Sequence, residues 1–289
     1  MAIIDDPERL REIFEGNYLL VEPHTLLMQA QVRSIFDRLV EVQTLPGDAI
    51  EFGAFQGGLS FFLGLCMRDL GLKKRVFMLD SFAGLPQPDA ELDSAFKRGA
   101  MASDLRTVAE LRSRLGLDGV VEILPGWFDD TARRIPDGVR FCLAHLDADL
   151  YSSTKRALAC VVPRLAEGGA IVLDDCVFYG SNGVIRATEE ALGPNLHLHL
   201  GPKTQAFLFP NGDARRGRPD PVWRTIEGRR YDVSDLLERP EYLDLVEWER
   251  GFYEESARGC RDYLDLLYSG GGGPDSHMIT SRLGLLRRR

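Results

Sequence analysis

The chain has 289 residues, 44% hydrophobic and 27% charged, close to ordinary globular proportions and far from those of disordered, collagenous or disulfide-framework proteins. Its 35 basic residues against 44 acidic ones leave a formal charge of −9, which argues against nucleic acid and against an anionic membrane surface as partners. The longest apolar stretch, Leu59 to Met67, falls well short of the about 20 residues that span a bilayer, and Asp5 and Asp6 stand where a secretory leader carries positive charge, so a cytoplasmic protein is expected.

In chain order, Leu26, Leu27, Val32, Ile35, Phe36, Leu39 and Val40 recur at three- and four-residue spacing, one face of a helix that precedes the first strand. Five short apolar runs follow: AIEFG (49–53), RVFMLD (75–80), VVEIL (120–124), FCLAHLD (141–147) and GAIVLDD (169–175). Helical patterns separate them, clearest from Thr107 and from Ser153. Such alternation predicts right-handed crossovers and a parallel sheet covered on both faces. A helix from Gly183, then strands at HLHL and TQAFLFP, predict an antiparallel edge. Residues 211–221 read as a polar linker, and the stretch from Val222 to Tyr268, with Trp248, Phe252, Tyr253 and Tyr263, reads as helical. The glycine-rich SGGGGPDSH segment reads as a flexible spacer. The five cysteines are odd in number and lack CxxC spacing, so they read as buried small hydrophobes.

In a parallel α/β sheet, ligands bind outside the carboxyl ends of the strands, so the polar residues that end each run carry the functional information. The first run leads through Glu51, Gly53, Ala54, Phe55 and Gly57 to Ser60 at the start of a helical stretch. Glycines there allow a tight turn and close backbone approach to a ligand, and a structural turn alone explains them equally. Neither GxGxxG nor the GxxxxGKS/T phosphate loop is present, which lowers pyrophosphate cofactors. The second run ends in Asp80, an acid able to accept hydrogen bonds from both hydroxyls of a ribose. A glycine turn without phosphate-binding features, paired with such an acid, favours S-adenosylmethionine over NAD.

The fourth run ends in Asp147 and Asp149 and the fifth in Asp174 and Asp175. If those strands are neighbours their acids meet, and converging carboxylates repel unless an oxygen-liganded divalent cation such as Mg, Ca or Mn is held between them. Asp147, Asp174 and Asp175 are the metal set expected on this reading, while Asp149, just before a helical stretch, reads equally as its cap. His145, two residues before Asp147, reads as a core residue, as a partner of the site or as a rival base to Asp147. The polar segment from Gln87 to Thr107 has the length of an active-site lid, in which Phe96 or Met101 could close over a ligand. Tyr151 and Tyr179 follow the acidic segments and could stack on a sugar ring.

With these residues in hand, the chain resembles the macrocin O-methyltransferase (TylF-type) family of class I S-adenosylmethionine-dependent sugar O-methyltransferases, through IEFGAFQGGLS, FMLDSFAGLPQP, LPGWFDDT, HLDADLYSSTKRAL and GGAIVLDD. The resemblance implies a Rossmann-like α/β fold with a mostly parallel seven-stranded sheet, an antiparallel C-terminal hairpin and helical additions. It implies Mg-dependent methyl transfer from S-adenosylmethionine to a sugar hydroxyl of a glycosylated small molecule, of the kind met in antibiotic biosynthesis. Carried over by position, Asp147, Asp174 and Asp175 match the family's metal ligands, with Asp147 also its general base. Glu51, Gly53, Gly57 and Ser60 match its cofactor loop, Asp80 and Ser81 its ribose contacts, and Gly126 with Trp127 its adenine region. The expected organisation is a helical lead-in (1–45), an S-adenosylmethionine-binding catalytic domain (46–210), a helical extension (211–268) and a flexible tail (269–289). A phenolic or catechol acceptor, or a non-methylating metal-binding relative on the same fold, would satisfy the same acids, and a homo-oligomer is compatible with all of these features.

Overall fold

The computed structural model describes residues 3–176, 182–193, 197–203, 205–213, 220–226 and 229–239. Strands β1 (Asp48–Phe52), β2 (Val76–Asp80), β3 (Val121–Pro125), β4 (Phe141–Leu146) and β5 (Leu165–Leu173) are parallel; β6 (Leu198–Leu200) and β7 (Ala206–Leu208) form an antiparallel pair, and β7 runs antiparallel to β5. The order across the sheet is β3-β2-β1-β4-β5-β7-β6, continued by β9 (Arg229–Asp232) and β8 (Trp223–Ile226), so two strands extend the seven expected. The chain moves outward from β1 through β2 to β3, then returns to place β4 on the other side of β1. That reversal opens a crevice beyond the ends of β1 and β4, where an open α/β sheet binds ligands.

Period-two alternation assigns each strand residue to one of two cores. Ala49, Val76, Met78, Leu143, Ala170 and Val172 pack beneath α1 (Pro7–Val21), α2 (Gln29–Glu41) and α3 (Gly58–Asp69). Ile50, Phe52, Phe77, Leu79, Ala144, Leu146, Ile171 and Leu173 pack on the opposite face, with Leu158 and Val161 of α6 (Tyr151–Val161) and Ile185 of α7 (Asn182–Leu192). Helix α4 (Leu105–Arg114) and the short α5 (Phe128–Thr131) complete the crossovers.

Helix α1 starts where it does because Asp6 accepts the Glu8 and Arg9 N–H groups and Pro7 has no N–H to lose. Its Phe14 meets Phe36 of α2 and Phe62 of α3 at ring-centroid distances of 5.7 and 5.6 Å, anchoring the N-terminal helices on the sheet. Burying a side chain of that size contributes roughly 1.5–3 kcal/mol.

The extension departs from the helical expectation. Its described part is the antiparallel β8–β9 pair, which docks through β9 on β6, followed by the short helix α8 (Ser234–Glu238). WRTI and RRYD mix aromatic and β-branched residues with arginine, which suits a strand, and the pairing of Leu198 with Tyr231 supplies the neighbour a strand needs. Residues 240–289 and Tyr179 lie outside the described residues, as do the readings made for them. No described helix is long and apolar enough to cross a membrane.

Candidate active site

The crevice is a cavity of ≈ 460 Å³ walled by the turn after β1, the end of β2 and the acids after β4 and β5. That volume is within the range of small-molecule sites. At its first wall, Gly53 (φ 85°) donates its N–H to Leu79 O at 2.9 Å, and the Asp147 N–H reaches Phe52 O at 3.0 Å, so the end of β1 is gripped from both sides. A Cβ at Gly53 would lie 1.8 Å from Asp147 O, which makes glycine obligatory where the turn after β1 meets the acidic segment. Gly57 (φ 84°) caps α3, and a Cβ there would strike Met78 and Phe61.

Glu51 is buried; Ser60 Oγ donates to its Oε2, and His145 Nδ1 lies 3.3 Å from its Oε1. His145 is fully buried behind the cavity, on the same sheet face as Glu51, which favours its reading as a partner beneath the site over that of a base within it.

Asp80 ends β2 with its carboxylate among backbone donors: Phe55 N–H to Oδ2 at 2.7 Å and Phe82 N–H to Oδ1 at 2.6 Å. Both donors sit in the left-handed region (φ 51° and 56°), a conformation that is costly for phenylalanine and that Asp80 holds in place. Burial pushes the Asp80 carboxyl above its usual range, and the Phe82 and Phe55 N–H bonds pull against that rise. Each oxygen keeps a second lone pair for a ligand. Ser81 Oγ bonds Gly84 O at 2.9 Å, the Gly126 N–H bonds Asp80 O at 2.8 Å, and Trp127, 46% exposed, stands at the cavity mouth.

Asp147 and Asp149 follow β4, and Asp174 and Asp175 follow β5, its parallel neighbour, with Leu146 opposite Leu173. One oxygen from each of Asp147, Asp149 and Asp175 lies within 4.8 Å of the other two. Asp149 (φ 56°) and Asp175 (φ 50°) are both left-handed, which turns their side chains into the group. Asp174 also lines the cavity, and its oxygens accept Gln31 Nε2 at 2.9 and 3.2 Å. Burial first, then the charges of Asp174, Asp149, Asp175 and Glu51, holds Asp147 well above the ordinary carboxylate range. Burial and the nearby Asp175 do the same to Asp149. A half-buried all-oxygen cluster of like charges is the donor set a hard divalent cation takes.

Of the residues singled out from the sequence, Glu51, Gly53, Ala54, Phe55, Asp80, Ser81, Trp127, Asp147, Asp174 and Asp175 line the cavity, while Gly57, Ser60 and Gly126 support it from behind. Phe96 and Met101 line it too. Tyr151 does not; its hydroxyl donates to Glu190 at 2.7 Å and accepts from Lys155 on the outer face of α6. Gln31 was not anticipated. It lies in the first turn of α2, its Oε1 accepts the Met28 N–H at 3.0 Å, and its amide nitrogen is thereby turned toward Asp174. For Asp149, open in the sequence between site residue and helix cap, the structure decides: it lines the cavity, and α6 is capped by Leu150 with no side-chain bond.

A family profile described as macrocin-O-methyltransferase (TylF) matches residues 25–191. The chain is 39% identical over 140 residues to 8-demethyl-8-(2,3-dimethoxy-alpha-L-rhamnosyl)-tetracenomycin-C 4'-O-methyltransferase of Streptomyces olivaceus, a match covering 45% of this chain and 53% of that protein. It is 34% identical over 142 residues to mycinamicin III 3''-O-methyltransferase of Micromonospora griseorubida, covering 45% and 56%. The chain thus spans about half the length of these curated relatives. Among solved structures, the O-methyltransferase NovP superposes with a TM-score of 0.58 at 23% identity, over 64% of this chain and 81% of that one. The calicheamicin methyltransferase CalS11 does so with a TM-score of 0.55 at 21% identity, over 71% and 93%. These two likenesses show the fold, a Rossmann-like α/β sheet of the methyltransferase kind. The family match runs from the segment before α2 to the end of α7 and takes in the glycine turn, Asp80 and all four strand-end acids; the chain belongs to the macrocin-O-methyltransferase (TylF) family.

Proposed function

We propose that this protein transfers a methyl group from S-adenosylmethionine to a sugar hydroxyl of a glycosylated natural product, with a divalent cation, Mg above all, at the acidic cluster. The observation that carries the reading is the convergence, in one cavity, of Asp80 beside a glycine turn with the acids that end β4 and β5. The names of the two relatives, each a methyltransferase of a glycoside-bearing antibiotic structure, support a sugar acceptor.

When bound, S-adenosylmethionine supplies a methyl on a sulfonium, and Mg supplies positive charge that lowers the pKa of a nearby hydroxyl. The chain's residues do the rest. Asp80, Ser81 and the turn 53–57 would hold the nucleoside end, with Trp127 at the mouth near the adenine. Asp147, Asp174 and Asp175, joined by Asp149, would hold the cation. The reaction needs an acceptor oxygen in line with the methyl carbon and a group to take its proton. Asp147, at the end of β4, would take that proton, with Asp149 as a second carboxylate beside it. Phe96 and Met101, which line the cavity, would help to exclude water, and that strengthens each of these contacts.

The test is to incubate the protein with S-adenosylmethionine, Mg and the rhamnosylated tetracenomycin named for the relative, beside a simple catechol. Methylation of the glycoside, lost on chelation of Mg and in Asp147→Asn, is the expected result. Methylation of the catechol alone would overturn the sugar assignment, and undiminished turnover in chelator would overturn the role given to the cation.

A further inference from the structure

The loop that leaves β2 at Ser81 and reaches α4 at Leu105 lines the cavity with Leu85, Phe96 and Met101. Its two arms are laced together by the Leu85 N–H to Ala100 O at 2.8 Å and the Gly99 N–H to Leu85 O at 2.9 Å. At the far end of this polar loop stands an acid that is 1% exposed, Asp93. Its Oδ2 accepts the Asp89 N–H at 3.0 Å and closes the tip on itself; its Oδ1 accepts the N–H of Tyr151, first residue of α6, at 2.9 Å. A carboxylate there also meets the positive end of the helix. The Gly183 N–H, in the first turn of α7, bonds Leu92 O at 3.1 Å. A Cβ at Gly183 would lie 2.0 Å from Asp93 Oδ1 and 2.7 Å from Tyr151 N, so the bare glycine is what makes room for the carboxylate.

Three segments meet at Asp93: the loop tip, the start of α6 and the start of α7. Helix α6 follows Asp147 and Asp149, and α7 follows Asp174 and Asp175. We propose that Asp93 is a positioning residue, which clamps the cavity-lining loop to the two acid-bearing segments and so sets where the loop's Phe96 and Met101 stand relative to the reacting groups. This rests on the O-methyl-transfer reading above. Asp93 touches neither donor nor acceptor and acts through the loop.

The test uses Asp93→Ala, Asp93→Asn and Gly183→Ala in the full chain. Hydrogen exchange reads the loop, calorimetry reads S-adenosylhomocysteine binding, and steady-state kinetics reads KM and kcat for the rhamnosylated tetracenomycin. Asp93→Ala is expected to speed exchange over residues 85–101 by about tenfold, as a local opening does, and to raise the acceptor KM on the order of tenfold while kcat and S-adenosylhomocysteine affinity stay within about threefold. Asp93→Asn keeps an oxygen for the Tyr151 N–H and should fall between. Gly183→Ala should reproduce Asp93→Ala even though alanine favours a helix over glycine, because its methyl group displaces the carboxylate. Unchanged exchange over 85–101 in both Asp93→Ala and Gly183→Ala would overturn the clamp. So would exchange accelerated uniformly across the chain, the sign of a merely fold-wide role. If the unsubstituted protein fails to methylate the glycoside, the activity reading is what fails, and loop exchange still decides the clamp.

Discussion

Asp149 shows what a single backbone conformation does to a residue's role. In the sequence it is an acid ahead of a helix, and helices favour acids at their start; in the structure its left-handed backbone turns it away from α6 and toward Asp147 and Asp175. The cluster is then costly without a cation, since buried carboxylates raise one another's pKa. Asp149→Asn removes one like charge at constant size. The metal-free variant is expected to melt about 2 °C or more above the parent, while the rise in melting temperature that Mg gives the parent is reduced or lost. A thermal melt with and without Mg checks both, and a variant that melts lower in chelator while keeping the full Mg response would contradict the cluster. Gln31 makes the complementary point. Its bond to Asp174 joins residues 143 apart in the chain, and nothing in the local pattern of α2 announces a glutamine that serves so remote a strand end.

The elements were readable wherever their pattern was local. All five parallel strands were visible as apolar runs, and the acids that matter were visible as the polar residues ending them, because a buried strand has to surrender its hydrophobic pattern where it leaves the sheet. The β8–β9 pair was not, since its four-residue strands are held by the pairing of β9 with β6, Leu198 against Tyr231, a contact between residues distant in the chain that no local period announces. A buried pair at that seam, His199 Nδ1 and Asp232 Oδ2 at 3.1 Å, again joins distant residues. Helix α1 yields a prediction at this scale. Burial, reinforced by the charge of Glu22, pushes the Tyr18 hydroxyl from its ordinary 10.0 up to about 12. The unfolded chain releases that proton near 10.0 and the folded one near 12, so between the two the folded state binds the extra proton and stability falls as pH rises, by up to about 1.4 kcal/mol per pH unit. Tyr18→Phe should remove this part of the alkaline loss. Denaturant curves for both proteins across the window check it, and parallel pH profiles would show that Tyr18 is not docked as described.

Across the whole molecule, the extension is tied to the N-terminal helices by charge. Arg38 of α2 is fully buried against the Phe207 ring at 4.7 Å, with Glu41 at 2.8 Å and Asp235 of α8 at 3.7 Å. Arg239 reaches Asp37 and Glu41 at 2.6 and 3.0 Å. Removing residues 222–289 would strip Asp235 from a buried cation that keeps Glu41 as its partner, a loss smaller than the about 3–5 kcal/mol of a charge left wholly unpaired. The truncated chain is expected to unfold at clearly lower denaturant concentration, and an unchanged midpoint would show that the extension is an independent appendage. The site, by contrast, is built from one end of the central strands, and on the function proposed above Asp80 and the glycine turn would form a nucleoside pocket beside the acids. Calorimetric titration of S-adenosylhomocysteine into the full chain and into Asp80→Ala tests this most directly. Single-site binding, weakened on the order of tenfold to a hundredfold in Asp80→Ala as expected for lost charge-assisted hydrogen bonds, is the predicted result; no binding to the unsubstituted protein, or equal binding to both, would contradict it.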